Sequence, residues 1–321
     1  MTVTCVVQAR MGSSRLPGKV LMDLDGRPML RFMLDRLAVF PALELVVATS
    51  DHPADDPIEA CAGAAGVAVV RGEETDVLDR FRLAAEMHPA DHIVRLTSDC
   101  PLIDPGLVAA AISDHHRSGA DYTSNTLIRT FPDGLDVEVM TSSALRAAAA
   151  EATDAAEREH VTPFLYRRTS RFATRAIRSA ERLGHLRWTV DTAADLEVIR
   201  SMVRDGTVGD GSWREIVGRL PERDRRPLRS GIQPAIAGEV SGDVASFHDP
   251  AHQALVALSD GETIGRLVVD IDDGVLSVQG DVEHGRLDEV RELFTAFVRS
   301  TPQVTGGDVA LHHLAPIGVM T

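Results

Sequence analysis

The chain has 321 residues, enough for one large domain or two ordinary ones, and its 44% hydrophobic and 25% charged residues exclude a disordered or fibrous protein. Lysine and arginine total 33 against 48 acidic residues, a net charge of −15, which argues against a nucleic-acid binder with its basic face. No apolar run reaches the ~20 residues of a membrane span, and the N-terminus lacks the basic flank and cleavage site of a signal peptide. Cys5, Cys61 and Cys100 lie far apart without metal spacing, which points to reduced thiols in the cytoplasm.

In chain order, residues 3–8 form a short apolar strand that runs into a Gly/Ser/Pro loop at 10–19. Pro28 opens a helix carrying Leu30, Met33, Leu34 and Leu37 at helical spacing. A buried strand follows at 43–49, a helix from Asp56-Pro57 to 65, a strand at 67–70, a helix at 75–87 and a strand at 92–96 that ends in a loop at 97–104. The pattern continues with a helix from Pro105, a strand at 135–140, helices at 142–150 and 154–167, a strand at 172–177, a strand end at 187–190 and a helix at 192–203. Strands alternating with helices predict an α/β fold: a mostly parallel sheet with helices on both faces. Ligands on such sheets bind beyond the carboxyl ends of the strands, where the loops 10–19 and 97–104 and the Asp191-Thr192 turn fall.

Residues 231–321 carry 14 acidic and 4 basic side chains, a denser negative charge than the rest of the chain. That step suggests two units: a domain over 1–220, a Pro/Arg-rich linker over 221–230 and a small acidic α+β unit over 231–321. In the second unit, strands are expected at 255–258, 264–271 and 275–278, with turns at 259–262 and 272–274 and an amphipathic helix at 287–298.

The loop Gln8-Ala9-Arg10-Met11-Gly12-Ser13-Ser14-Arg15-Leu16-Pro17-Gly18-Lys19 suits a triphosphate, because glycines let backbone amides approach an anion and the cations offset its charge. It is not a Walker A loop: five residues separate Gly12 from Gly18, and Val20 follows the lysine. Lys19 is the only lysine among the 33 basic residues, so a compact ammonium is expected to be required there. Asp99, just past a strand, has the setting of a Mg²⁺ ligand, whereas Asp104 before Pro105 reads as a helix cap. For Asp191, ligand and cap are evenly balanced on local evidence. Asp133, Asp136 and Glu138 form an acidic cluster, with Asp136 and Glu138 on one strand face. Its local reading favours a solvated edge. His160 stands between Glu159 and Val161, where a lone histidine is more often structural than catalytic. His115-His116 and His312-His313 lack carboxylates at ligand spacing.

The segments QARMGSSRLPGKVL, RLTSDCPLIDP, GLDVEV, REHVTPFLY and RWTVDTAADLEVI resemble those of cytidylyltransferases of the spore coat polysaccharide biosynthesis protein F group. That group is similar to the CMP-sugar synthetases for 3-deoxy-manno-octulosonate, sialic and pseudaminic acids. The resemblance covers about residues 1–205. It implies a Rossmann-like nucleotide-diphosphosugar-transferase (GT-A type) fold, CTP, Mg²⁺ and a homodimer. Gln8, Ala9, Arg10, Gly12, Ser13, Ser14 and Ser98 would line the nucleotide, Arg15 and Lys19 would hold the triphosphate, and Asp99 and Asp191 would bind Mg²⁺. Arg71, Asp76 and Arg80 would lie near the base, and Asp136, Glu138 and His160 on the acceptor side. Where the synthetases carry Gln-Gly-Asp, this chain has Thr97-Ser98-Asp99.

The reaction expected is CMP transfer from CTP to an anionic acceptor, a sugar acid before a phosphorylated small molecule or phosphonate, with release of pyrophosphate. The alternatives are a glycosyltransferase of similar fold, for which Asp136-Val137-Glu138 is only an imitation of an Asp-x-Asp metal motif, and an inactive nucleotide-binding subunit. Partners are expected to be CTP and a small molecule, with neither nucleic acid nor membrane.

Overall fold

The computed structural model describes residues 2–40, 43–209, 211–225, 231–234, 252–259, 262–272, 275–282, 286–300, 309–310 and 314–316. The elements run β1 (Val3–Gln8), β2 (Asp23–Leu24), β3 (Arg27–Pro28), α1 (Met29–Leu37), β4 (Glu44–Ser50), α2 (Asp56–Ala64), β5 (Ala68–Gly72), α3 (Val77–Met87), β6 (His92–Thr97) and α4 (Pro105–Ser118). There follow β7 (Tyr122–Ser124), β8 (Glu138–Thr141), α5 (Ser142–Glu151), α6 (Ala155–His160), α7 (Pro163–Tyr166), β9 (Thr174–Ala176), α8 (Ala193–Arg204), α9 (Trp213–Arg219) and α10 (Glu222–Arg225).

A seven-stranded sheet takes the order β5-β4-β1-β6-β8-β7-β9. Every neighbouring pair is parallel except the two made by β8, so β8 alone is reversed. This is the mostly parallel sheet expected from the alternation of strands and helices, and it agrees with the Rossmann-like fold that the resemblance implies. The strands bury both faces by their period of two. Cys5 and Val7 of β1, with Val94 and Leu96 of β6, join a core that includes residues of α1, α2, α4, α8 and α9. Val6 and Ile93 point the other way, into a core with α3, α5 and α7.

Local chemistry explains where several elements stop. Asp104 caps α4 by accepting from the Leu107 amide at 2.7 Å, and Gly119 closes that helix in the left-handed region. The helix expected over 154–167 is broken in two. Val161 takes φ +71° and ψ −56°, with the Thr162 amide donating to the His160 carbonyl at 2.8 Å: a γ-turn, after which Pro163 starts α7. A β-branched residue at positive φ is strained, and the burial of Val161 holds it there. The expected strand at 187–190 makes only an isolated bridge, Arg187 with Asp133.

Beyond residue 230 lies a separate six-stranded sheet. Strands β10 (Gly231–Pro234), β11 (His252–Ser259), β12 (Glu262–Asp272) and β13 (Val275–Val282) pair antiparallel in sequence. After α11 (Leu287–Ser300), β14 (Val309–Ala310) and β15 (Leu314–Pro316) each pair parallel with β13. The expected linker opens with the helical turn α10; its residues 226–230, the turn pairs Asp260-Gly261 and Asp273-Gly274, and the pair His312-His313 lie outside the described residues. Among the described residues no helix is long and apolar enough to cross a membrane.

Candidate active site

Strands β1 and β6 are adjacent and parallel, so the loops that leave Gln8 and Thr97 emerge at the same edge of the sheet. The Ser98 amide donates to the Gln8 carbonyl at 3.0 Å and binds the two exits together. Because β8 is reversed, its first residue, Glu138, lies at this edge too, paired with Arg95.

The first loop is folded around Met11. Its carbonyl accepts from the amides of Ser13 and Gly18, both at 2.9 Å, and its amide donates to Asp55 Oδ1 at 2.7 Å. Gly18 sits at φ +71°, a conformation that turns the chain into the short 3₁₀ helix begun by Lys19. Asp55 is almost fully buried; burial alone would raise its carboxyl, but hydrogen bonds from Ser50, Met11 and Thr49 outweigh that and hold it below its ordinary value. Sequence reasoning missed Asp55, because its partner Met11 is 44 residues away.

That turn sends Lys19 inward. Its Nζ donates to Asp99 Oδ2 at 3.1 Å, to Asp191 Oδ1 at 2.9 Å and to the Val190 carbonyl at 2.8 Å, with only 10% of the side chain exposed. Two carboxylates far apart in the sequence thus converge on one cation. The Asp99 and Val190 segments are joined by a 2.8 Å bond from the Val190 amide to the Asp99 carbonyl. Asp191 is not a cap: Thr192 caps α8 in a capping box with Asp195, which leaves the Asp191 carboxylate to the site. Arg15 reaches Asp191 Oδ1 at 3.1 Å and Arg187 reaches Asp191 Oδ2 at 2.8 Å. Burial would raise the Asp191 carboxyl, but Lys19, Arg187 and Arg15 hold it lower than usual.

Other expected residues fall into groups. Gln8 accepts from Arg95 Nε at 3.1 Å, Ala9 is buried and its amide donates to Ala48, and Gly12 and Ser14 are exposed on the loop. Arg10 lies 3.5 Å from Glu159 of α6, and Asp76 caps α3 while pairing with Arg158 of α6, so α6 ties the first loop to the start of α3. Arg80 is buried with Nε and Nη1 unpaired, and burial followed by the charge of Arg10 pushes its guanidinium down. Arg71 is instead committed to the rim: it donates to the Ser50 and His52 carbonyls and pairs with Asp56 and Glu59, all within 3.0 Å.

On the remaining side, Asp136 is held in two bonds by Arg129, at 2.9 and 3.1 Å. Glu138 is not on a solvated edge but 6% exposed, bonded to Arg95 and accepting from the Tyr122 and Thr162 hydroxyls at 2.6 Å each. It is a buried support for the segment carrying His160, which is itself exposed beside the Val161 turn. Sequence reasoning also missed Arg129, whose partners Asp133 and Asp136 lie in the turn that follows it, and Arg187, to which that turn brings Asp133 from 54 residues away.

The glycine- and serine-bearing loop and two carboxylates that converge on Lys19 lie together at one edge of a mostly parallel sheet, the edge at which α/β folds bind their ligands. The chain belongs to the cytidylyltransferase family, whose model matches residues 4–197, and is a nucleotidyltransferase. It is 35% identical over 224 residues to the spore coat polysaccharide biosynthesis protein SpsF of Bacillus subtilis, covering 67% of this chain and 92% of that one. A cytidylyltransferase structure from Leptospira borgpetersenii superposes with a TM-score of 0.65 at 33% identity, over 68% of this chain and 93% of the other. The 8-amino-3,8-dideoxy-manno-octulosonate cytidylyltransferase of Shewanella pealeana is 32% identical over 132 residues, 40% of this chain and 53% of its own.

Proposed function

We propose that the enzyme transfers CMP from CTP to an anionic acceptor, a sugar acid, with Mg²⁺ as cofactor and pyrophosphate as the second product. The observation that carries this reading is the convergence of Asp99 and Asp191 on one buried cation beside the glycine- and serine-bearing loop. A hydroxyl oxygen of the sugar acid attacks the α-phosphorus of CTP and gives up its proton to water, and the bond from that phosphorus to the β-bridging oxygen breaks, its electron pair leaving with pyrophosphate. The acceptor's negative charge sits on its carboxylate, away from the attacking hydroxyl, and the protein's tasks are alignment and charge neutralisation.

Arg10, Arg15, Gly12, Ser13 and Ser14 serve the triphosphate. Lys19 now spends its donors on Asp99, Asp191 and Val190, and supports turnover by exchanging part of that contact for phosphate as charge develops. Asp76 and the unpaired guanidinium edge of Arg80 serve the base. Asp136 and His160 serve the acceptor, with Glu138 as their buried support. Two carboxylates and substrate oxygens suit Mg²⁺, which needs no all-protein cage; among the described residues no group of three or more His, Cys, Asp or Glu side chains is arranged to hold a metal alone. When bound to Asp99 and Asp191, Mg²⁺ would neutralise phosphate charge. A homodimer, implied by resemblance alone, and a cytoplasmic location, with which the free cysteines agree, belong to the same proposal.

The test is a matrix of the four nucleoside triphosphates against sugar acids, sugar phosphates and phosphonates, read by pyrophosphate release. Release with CTP and a sugar acid is expected. Release with sugar phosphates alone would change the acceptor class, and release of nucleoside diphosphate from a nucleotide sugar would mark a glycosyltransferase.

A further inference from the structure

Arg187 lies just outside the convergence of Lys19, Asp99 and Asp191, and its planar fork reaches three carboxylates at once. Nη2 donates to Asp191 Oδ2 at 2.8 Å, Nη1 to Asp133 Oδ2 at 2.9 Å and Nε to Asp195 Oδ1 at 3.0 Å. Two of those partners are fixed. Asp195 is locked in the capping box of α8, where it also accepts from the Asp191 and Thr192 amides at 3.0 and 2.8 Å. Asp133 is tied backbone to backbone: its amide donates to the Leu186 carbonyl at 2.8 Å and its carbonyl accepts from the Trp188 amide at 2.6 Å. We infer that Arg187 is the positioning residue that orients the Asp191 carboxylate toward a divalent cation, an inference that rests on the metal reading above.

With Oδ2 held by Arg187, Asp191 Oδ1 is left facing Lys19 and Arg15. The orientation is thus set from two rigid pieces of the fold, the start of α8 and the turn before β8. Only a guanidinium can do this: a lysine ammonium carries its charge at one point and lacks the fixed fork. The rival role for Arg187 is that of a counter-ion that merely offsets the crowd of aspartates. The two roles predict opposite signs. A counter-ion has the same charge as the metal and competes with it, so its removal strengthens metal binding. Removal of a positioning partner weakens binding, by roughly ten- to a hundredfold.

The measurement is Mn²⁺ binding to the full chain, followed by the electron paramagnetic resonance signal of the free ion, for the parent, Arg187→Gln, Arg187→Lys and Asp191→Asn, with thermal unfolding of each. Weaker Mn²⁺ binding in Arg187→Gln, incompletely rescued in Arg187→Lys, is expected. Equal or tighter binding in Arg187→Gln would overturn the inference. If Arg187→Gln fails to fold, the charge-preserving Arg187→Lys decides: weakened binding supports the positioning role and parent-like binding overturns it. Parent-like binding by Asp191→Asn would instead remove Asp191 from the metal, and the inference with it.

Discussion

Lys19 is 8% exposed, and its ammonium is surrounded by two carboxylates and a carbonyl. A guanidinium is broader and cannot occupy that point without moving them. Lys19→Arg is therefore expected to slow turnover although charge is kept, and Lys19→Ala to slow it further, because Asp99 and Asp191 would then lose the ammonium between them. A charge-assisted hydrogen bond of roughly 1.5–3 kcal/mol corresponds to about ten- to a hundredfold in rate if it tightens in the transition state. Steady-state kinetics with CTP affinity measured separately checks this; parent-like kinetics in Lys19→Arg would contradict the steric argument. Asp99→Asn and Asp191→Asn keep size and remove charge, so each is expected to lose metal-dependent turnover while its circular dichroism stays that of the parent. The residues legible in the sequence were those inside a local motif: a sole lysine in a glycine loop and an aspartate at a strand end. Asp55 and Arg129 have no such pattern, and the bonds of Arg71 to the 50–59 segment are set up by strand pairing, which the sequence does not display.

Elements as well as residues set this site. The turn at Gly134 approaches residues 188 and 189 so closely that a Cβ there would lie 2.5 Å from the Thr189 nitrogen and from the Trp188 carbonyl carbon, and its φ of +108° is a glycine conformation. Gly134→Ala is expected to cost more than about 2 kcal/mol in denaturant unfolding and to weaken turnover, since the same contact holds Asp133 against Arg187. A second element-scale prediction concerns His115 of α4, 1% exposed, with Nδ1 2.7 Å from the Thr123 hydroxyl and Nε2 3.1 Å from His92 Nδ1. Burial, then the neighbouring His92 and His116, push its imidazole down to about 4, opposed weakly by Asp114. The unfolded chain, with an ordinary value near 6.5, binds the extra proton across that window. Stability therefore falls as pH drops from about 6.5 to about 4, by about 3 kcal/mol at most from this residue. Urea unfolding of parent and His115→Asn across that range checks it, and equal slopes would contradict it. Long periodic elements such as α3 and β4 were legible because their apolar spacing is local. The three-residue β7 and the break at Val161 were not, because strand pairing and a buried turn create them.

For the molecule as a whole, the seven- and six-stranded sheets fall on either side of a step in charge, and the family match ends at residue 197, in α8, after the last strand of the first. A chain ending at Arg225 is proposed to fold and bind CTP alone, as the cores on both faces of the seven-stranded sheet draw chiefly on residues before that point. Calorimetry of that shortened chain with CTP is the check, and aggregation relieved by adding residues 231–321 would show that the two parts need each other. The alternation of strands and helices made the main sheet readable, whereas the reversal of β8 depends on the connection from α4 through β7, which has no sequence signature. The central claim is the bond that is made. Phosphorus nuclear magnetic resonance of the reaction with CTP, Mg²⁺ and a sugar acid tests it most directly: equal amounts of pyrophosphate and a new cytidylyl phosphodiester are predicted, and CTP left intact across all anionic acceptors, or conversion to CDP, would contradict it.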